Sequence, residues 1–140
     1  MSRRYPSREK WFGRMFLNAD LSLPYYQDGK RASSYKDANL ISSELWGQND
    51  IPKDDRLHAP ALDFDFPCRL IPSSTKGHFH LYIDKTIPWK EYVKVLEVLG
   101  EVGLLEPGYV EAAKRRQATH LRLPGVKKDP DQMRREEAVF

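Results

Sequence analysis

Between Leu62 and Asp84 the chain reads LDFDFPCRLIPSSTKGHFHLYID. Asp63 and Asp65 stand two residues apart. Alternation along a predicted strand over 61–66 puts both carboxylates on one face, with Leu62, Phe64 and Phe66 on the other. Two hard oxygen donors on one side suit Mg²⁺ or Mn²⁺; two surface acids paired with basic neighbours are the plainer reading. Ser73-Ser74-Thr75-Lys76-Gly77 follows as a turn. Its hydroxyls, backbone N–H groups and cation could cradle a phosphate, although such turns also join many hairpins. A second predicted strand, 78–84, carries His78, His80, Tyr82 and Asp84 on one face. The imidazoles could ligate zinc, hydrogen-bond a phosphate, or be satisfied by neighbours. Late in the chain, Thr119–Gly125 (THLRLPG) puts His120 and Arg122 on one face of a predicted strand. Arg122 could bind a phosphate or pair with Asp63 or Asp65.

These residues need elements to hold them. Residues 8–17 (REKWFGRMFL) predict a short amphipathic helix built on Trp11 and Met15, weakened by Gly13. Residues 18–57 lack periodicity and are rich in turn formers, which predicts an irregular arm with one helical turn near 37–46. Cys68–Pro72 extends or re-enters the sheet after Pro67. Pro88 opens a helix over 89–100, with Trp89, Tyr92, Val93, Leu96 and Leu99 on one stripe. Gly100 or Gly103 ends it. Pro107 opens a second helix to about Arg116, and a last strand spans 118–123. Helices segregated to one face of a mainly antiparallel sheet make an α+β two-layer sandwich. The helices are expected to cover Phe64, Phe79, Leu81, Ile83, Leu121 and Leu123. The expected organisation is an irregular N-terminal arm (1–57), an α+β core (58–125) and a charged C-terminal tail (126–140).

At 140 residues, 40% of them hydrophobic, the chain can bury one core. A net charge of +3 makes no case for nucleic acid by itself. Its distribution says more, because Arg3, Arg4, Arg8, Lys10 and Arg14 crowd one end. Lys114, Arg115, Arg116, Arg122, Lys127 and Lys128 crowd a late segment. Such clusters can meet phosphate or be solvated surface. The lone Cys68 allows no disulfide within the chain and no cysteine zinc motif, which favours a reducing compartment. No apolar run reaches membrane-span length, and no cleavage site follows the basic N-terminus. A cytoplasmic setting, without membrane, is therefore expected.

The order of these segments resembles the archaeo-eukaryotic primase superfamily, including its primase–polymerase branch. Asp63 and Asp65 match its D-x-D motif. Ser74 and His80, within SSTKGHFHLYI, match its serine turn followed by histidine. Leu121–Gly125 matches an L-R-x-P-G segment. The resemblance implies that Asp63 and Asp65 hold divalent metal, Mg²⁺ or Mn²⁺. It implies that Asp63, Asp65 and His80 are the catalytic positions, and that Ser74, Lys76 and His80 touch the phosphates of an incoming nucleotide. Ser73, Thr75, His78 and Arg122 complete the expected nucleotide-binding set. The family's third acid has no counterpart, since Lys114, Arg115, Arg116 and Gln117 occupy its place. The same segments (LDFDFP, PSST, HLYID, PGY, LRLPG) are similar to small proteins encoded by phages of actinobacteria. The expected function is thus a reduced, primase-like phage protein that binds a nucleotide or nucleic acid. The alternative is a non-enzymatic structural or host-interaction protein, with residues 1–57 and the tail wrapping a protein partner.

Overall fold

The computed structural model describes residues 8–26 and 29–128. Arg3 and Arg4, and the tail from 129 onward, lie outside the described residues. The chain divides into two compact units, Met1–Asp63 and Phe64–Phe140. With two helices and two antiparallel sheets, the class is α+β, as expected.

The first unit is a three-stranded sheet, and this corrects the irregular arm. Strand β1 (Arg14–Asn18) lies between β2 (Lys30–Ala32) and β3 (Leu40–Leu45), antiparallel to both. The helix expected over 8–17 is a single 3-10 turn, Arg8–Trp11. Phe12 and Gly13 then take left-handed backbone, at φ 58° and 72°, and turn the chain into β1. The helical turn near 37–46 is instead β3, preceded by a 3-10 turn, Tyr35–Asp37. Met15 and Phe16 are both buried, with Tyr35 edge-on to the Phe16 ring at 5.7 Å and stacked on Trp11 at 6.1 Å.

Side chains that bond to backbone hold this unit together. Gln48 is buried. Its Nε2 donates to the Leu45 and Leu57 carbonyls (3.0 Å each), and its Oε1 accepts from the Leu57 N–H at 2.7 Å. Arg14 donates to the carbonyls of Ala59 (3.1 Å) and Pro60 (2.8 Å). Asn39 and the backbone of Ala19 exchange two bonds, at 2.9 and 2.8 Å. Arg56 pairs with Glu44 at 2.9 Å. Each bond to backbone satisfies a group that a loop would otherwise leave to water.

The second unit begins with a hairpin of β4 (Cys68–Pro72) and β5 (Phe79–Ile83). Helix α1 (Trp89–Glu101) and helix α2 (Pro107–Arg116) follow, close to the predicted bounds. Gly103, at φ 81°, ends α1. Leu104 N–H reaches back to the Leu99 carbonyl and Gly103 N–H to that of Gly100, a Schellman closure. The core is Leu96 with Val110 and Ala113, flanked by Trp89, Tyr92 and Leu105. Gly100 lets α2 approach, because a Cβ there would sit 3.2 Å from Val110 Cγ2. Among the described residues no helix is long and apolar enough to cross a membrane.

Two further corrections concern the sheet. Neither 61–66 nor 118–123 forms a strand. The helices also do not cover the face assigned to them. Phe64, Leu121 and Leu123 are exposed, as are Phe79 (58%), Leu81 (49%) and Ile83 (43%). The half-buried residues of the hairpin are Ile71, His80 and Tyr82, on the opposite side.

Leu96→Ala is expected to cost about 2–5 kcal/mol of stability in a urea titration, whereas Leu123→Ala, at an exposed site, should stay within about 0.5 kcal/mol. Burial raises the pKa of Tyr109 above the ordinary 10.0, against an opposing hydrogen bond from Thr119. The unfolded chain therefore releases this proton first. The associated stability is fully present below pH 10.0 and is lost as pH rises through the folded value. Tyr109→Phe should flatten the alkaline limb of the stability profile.

Candidate functional site

The phase of the β4–β5 ladder decides what the hairpin offers on each side. Ser73 N–H donates to the His78 carbonyl, and Asp84 N–H to the Pro67 carbonyl, both at 2.9 Å. These are hydrogen-bonded pairs, so Arg69 opposite Tyr82 and Ile71 opposite His80 are too. Cross-strand partners share a face. One side of the hairpin therefore carries Arg69, Ile71 and Ser73 against Tyr82, His80 and His78. The other carries Cys68, Leu70 and Pro72 against Ile83, Leu81 and Phe79.

The 73–78 turn closes the polar side. Thr75 N–H donates to Ser73 Oγ at 3.2 Å, and His78 N–H to the Thr75 carbonyl at 3.1 Å. Gly77 supplies the positive φ, 81°, that the reversal requires. The Arg122 guanidinium meets this turn from a segment far along the chain. Its Nη2 donates to Ser73 Oγ at 3.3 Å and to Ser74 Oγ at 3.4 Å. Its Nε donates to the Val126 carbonyl at 3.2 Å, which fixes the plane of the fork. Among the described residues neither Arg122 nor Lys76 forms an ion pair. One cation thus binds two turn hydroxyls, and a second sits on the same turn. An anion with several oxygens could accept from Arg122, Ser74 and Lys76 together.

The expected residues divide accordingly. Ser73, Ser74, Thr75, Lys76, His78 and Arg122 come together at the turn. His80 lies on the same side of the hairpin, within β5, half-buried. His78 lies just outside the strand, in the turn. Arg122 makes no pair with Asp63 or Asp65; its partners are the serines. Asp63 closes the first unit, Asp65 lies in the second, and both are exposed in a stretch with no ladder partner. The shared strand face that joined them is absent. Among the described residues no group of three His, Cys, Asp or Glu side chains is placed to hold a metal ion.

Sequence reasoning passed over Arg69, which shares the polar side and reaches Asp84 at 4.0 Å. Extending the period of β5 across the turn into CRLIP would have found it. It also passed over Ser43, whose hydroxyl lies 2.8 Å from His58 Nδ1. That contact closes the isolated bridge between Glu44 and His58.

Comparisons with protein-family models, curated proteins and solved structures give no match.

Arg122→Ala should loosen the turn without disturbing the helices. Losing bonds worth about 1 kcal/mol implies roughly fivefold faster amide exchange at Ser73 and His78. Exchange in α1 should be unchanged.

Proposed function

We propose that this protein binds the phosphate groups of a nucleotide or nucleic acid at the corner where Arg122 meets the 73–78 turn. In this reading it is a reduced, primase-like phage protein that recognises phosphate without templated synthesis. One observation carries the reading: a guanidinium bound to two adjacent serine hydroxyls, on a turn that also carries Lys76. Arg122 presents a planar fork suited to phosphate oxygens, and Lys76 adds a flexible point charge. Ser74 and Thr75 supply short hydroxyl donors. His80 and Arg69 extend the polar strip along the hairpin. Primase-like ancestry rests on the order of LDFDFP, PSST, HFHLYID and LRLPG in the chain. The absent third acid, and the lack of a strand over 61–66 to set Asp63 and Asp65 on one face, favour binding over catalysis. Mg²⁺ or Mn²⁺ enters this reading as the counter-ion that a triphosphate carries.

Calorimetric titration with a nucleoside triphosphate and with a single-stranded oligonucleotide tests this. Each is run with Mn²⁺ and with EDTA. Binding is expected to persist in EDTA. If Arg69, Lys76 and Arg122 neutralise three phosphates of a single strand, log K should fall with log salt at a slope of about −2. Arg122→Ala should weaken binding by about 10–100-fold, the loss of a charge-assisted contact worth roughly 1.5–3 kcal/mol. Asp63→Ala combined with Asp65→Ala should leave it within about twofold. Strict dependence on Mn²⁺, abolished by that double variant, would restore a primase-type metal site. No heat with any ligand would overturn the phosphate reading.

A further inference from the structure

We propose that the second unit associates with a second copy of this chain, α1 of each copy seating on the apolar side of the β4–β5 hairpin of the other.

The hairpin supplies the first surface. Its non-hydrogen-bonded pairs are Cys68–Ile83, Leu70–Leu81 and Pro72–Phe79. In such pairs the side chains stand closest together, so these six make one continuous surface without a charge. All six are exposed, Leu70 at 65%. The face offers roughly 500 Å² of apolar residue surface, at the upper end of what a lone monomer shows.

Helix α1 supplies the second. Its core stripe faces α2 through Leu96 and Gly100. Val95, Val98 and Val102 follow one another at spacings of three and four, on another side of the helix. They are 49%, 55% and 63% exposed. With Lys94 and Leu99, Val95 and Val98 line a shallow apolar depression on the helix surface. This stripe adds roughly 250 Å².

Neither surface alone reaches the size of a stable interface. Joined reciprocally, each contact is limited by the smaller surface, so two contacts remove roughly 1,000 Å², the lower bound for a specific complex. The charges beside them are of opposite sign. Arg69 and Asp84 belong to the polar side, and the charge flanking the apolar side is Lys85, whose Nζ stands 5.1 Å over the Phe66 ring. Helix α1 carries Glu91, Glu97 and Glu101 against Lys90 and Lys94, a net of −1. A twofold arrangement uses each patch once per copy and closes.

Sedimentation of the full chain from about 1 to 100 µM, a range that brackets micromolar dissociation, tests the proposal. A dimer is expected at the upper end. Leu81→Lys and Val98→Glu should each give monomers with unchanged circular dichroism, since both sites are exposed. An equimolar mixture of the two variants should dimerise again. In the mixed pair one contact sets the introduced lysine against the introduced glutamate, and the other contact is wild type. A wild-type chain that stays monomeric overturns the proposal; cross-links from the hairpin to residues 8–63, or to its own α1, would then name the occupant. A dimer that neither substitution dissociates, or variants that fail to rescue each other, also overturns it. The second result would point to pairing along the free strand edges.

Discussion

Two backbone hydrogen bonds, Ser73 N–H to the His78 carbonyl and Asp84 N–H to the Pro67 carbonyl, set the phase of the hairpin. Everything distinctive about the second unit depends on that phase. A slip of one residue would place Phe79, Leu81 and Ile83 across from Arg69, Ile71 and Ser73, and would scramble both faces. The observed phase sorts the side chains. His78, His80, Tyr82, Arg69 and Ser73 go to one side with Ile71, and six uncharged residues go to the other. The left-handed Gly77 and the Ser73 hydroxyl bonded to Thr75 N–H close the turn in this register. Arg122 then binds the turn from outside. The same contact that steadies the register also brings a cation to the polar side.

Both units bury apolar residues, and they differ in what accompanies that packing. In the second, α1 and α2 bury Leu96, Val110 and Ala113, and Gly100 makes the close approach possible. This is apolar packing, and its cost of disruption scales with the volume removed. The first buries Met15, Phe16 and three alanines, Ala19, Ala32 and Ala59, and adds polar ties: Gln48, Arg14 and Asn39 bond to carbonyls and N–H groups of distant loops. Buried polar contacts of this kind have an asymmetric cost. Each adds little over water, but removing one partner strands the other.

That difference explains which parts of the fold the sequence revealed. Helices α1 and α2 are marked by Pro88 and Pro107 at their starts, by a 3.6-residue stripe through Leu96, and by Gly103 at the end of α1. All of these signals are local. Strand β5 was legible from FHLYI alternation. The stretch LDFDF alternates just as well yet forms no strand, because alternation specifies faces and not a ladder partner. Pro60 and Pro67 bound it, and nothing pairs with it. Residues 118–123 fail for the same reason. Strand β3, LISSEL, has a weak pattern but finds β1 as its neighbour. The contacts of Gln48 and Arg14 leave no periodic trace at all. Of the candidate site, the turn and Arg122 were expected to serve one phosphate, but the direct bonds from the guanidinium to the Ser73 and Ser74 hydroxyls have no trace in the sequence.

The hairpin's inverted covering has a physical logic. A two-stranded sheet has two faces and too little area to bury either by itself. The expectation was that helices would take the apolar face and leave histidines to solvent. Instead Ile71, His80 and Tyr82 are the half-covered residues, and the face free of charge is open. An open apolar face costs nothing in hydrogen bonding but leaves hydrophobic surface in contact with water. Such surface persists in a folded chain when something else covers it. The polar side, by contrast, must remain reachable if Arg122 and Lys76 are to meet an anion. In the proposed reading, opposite sides of one hairpin would serve partner contact and phosphate contact without competing for the same residues.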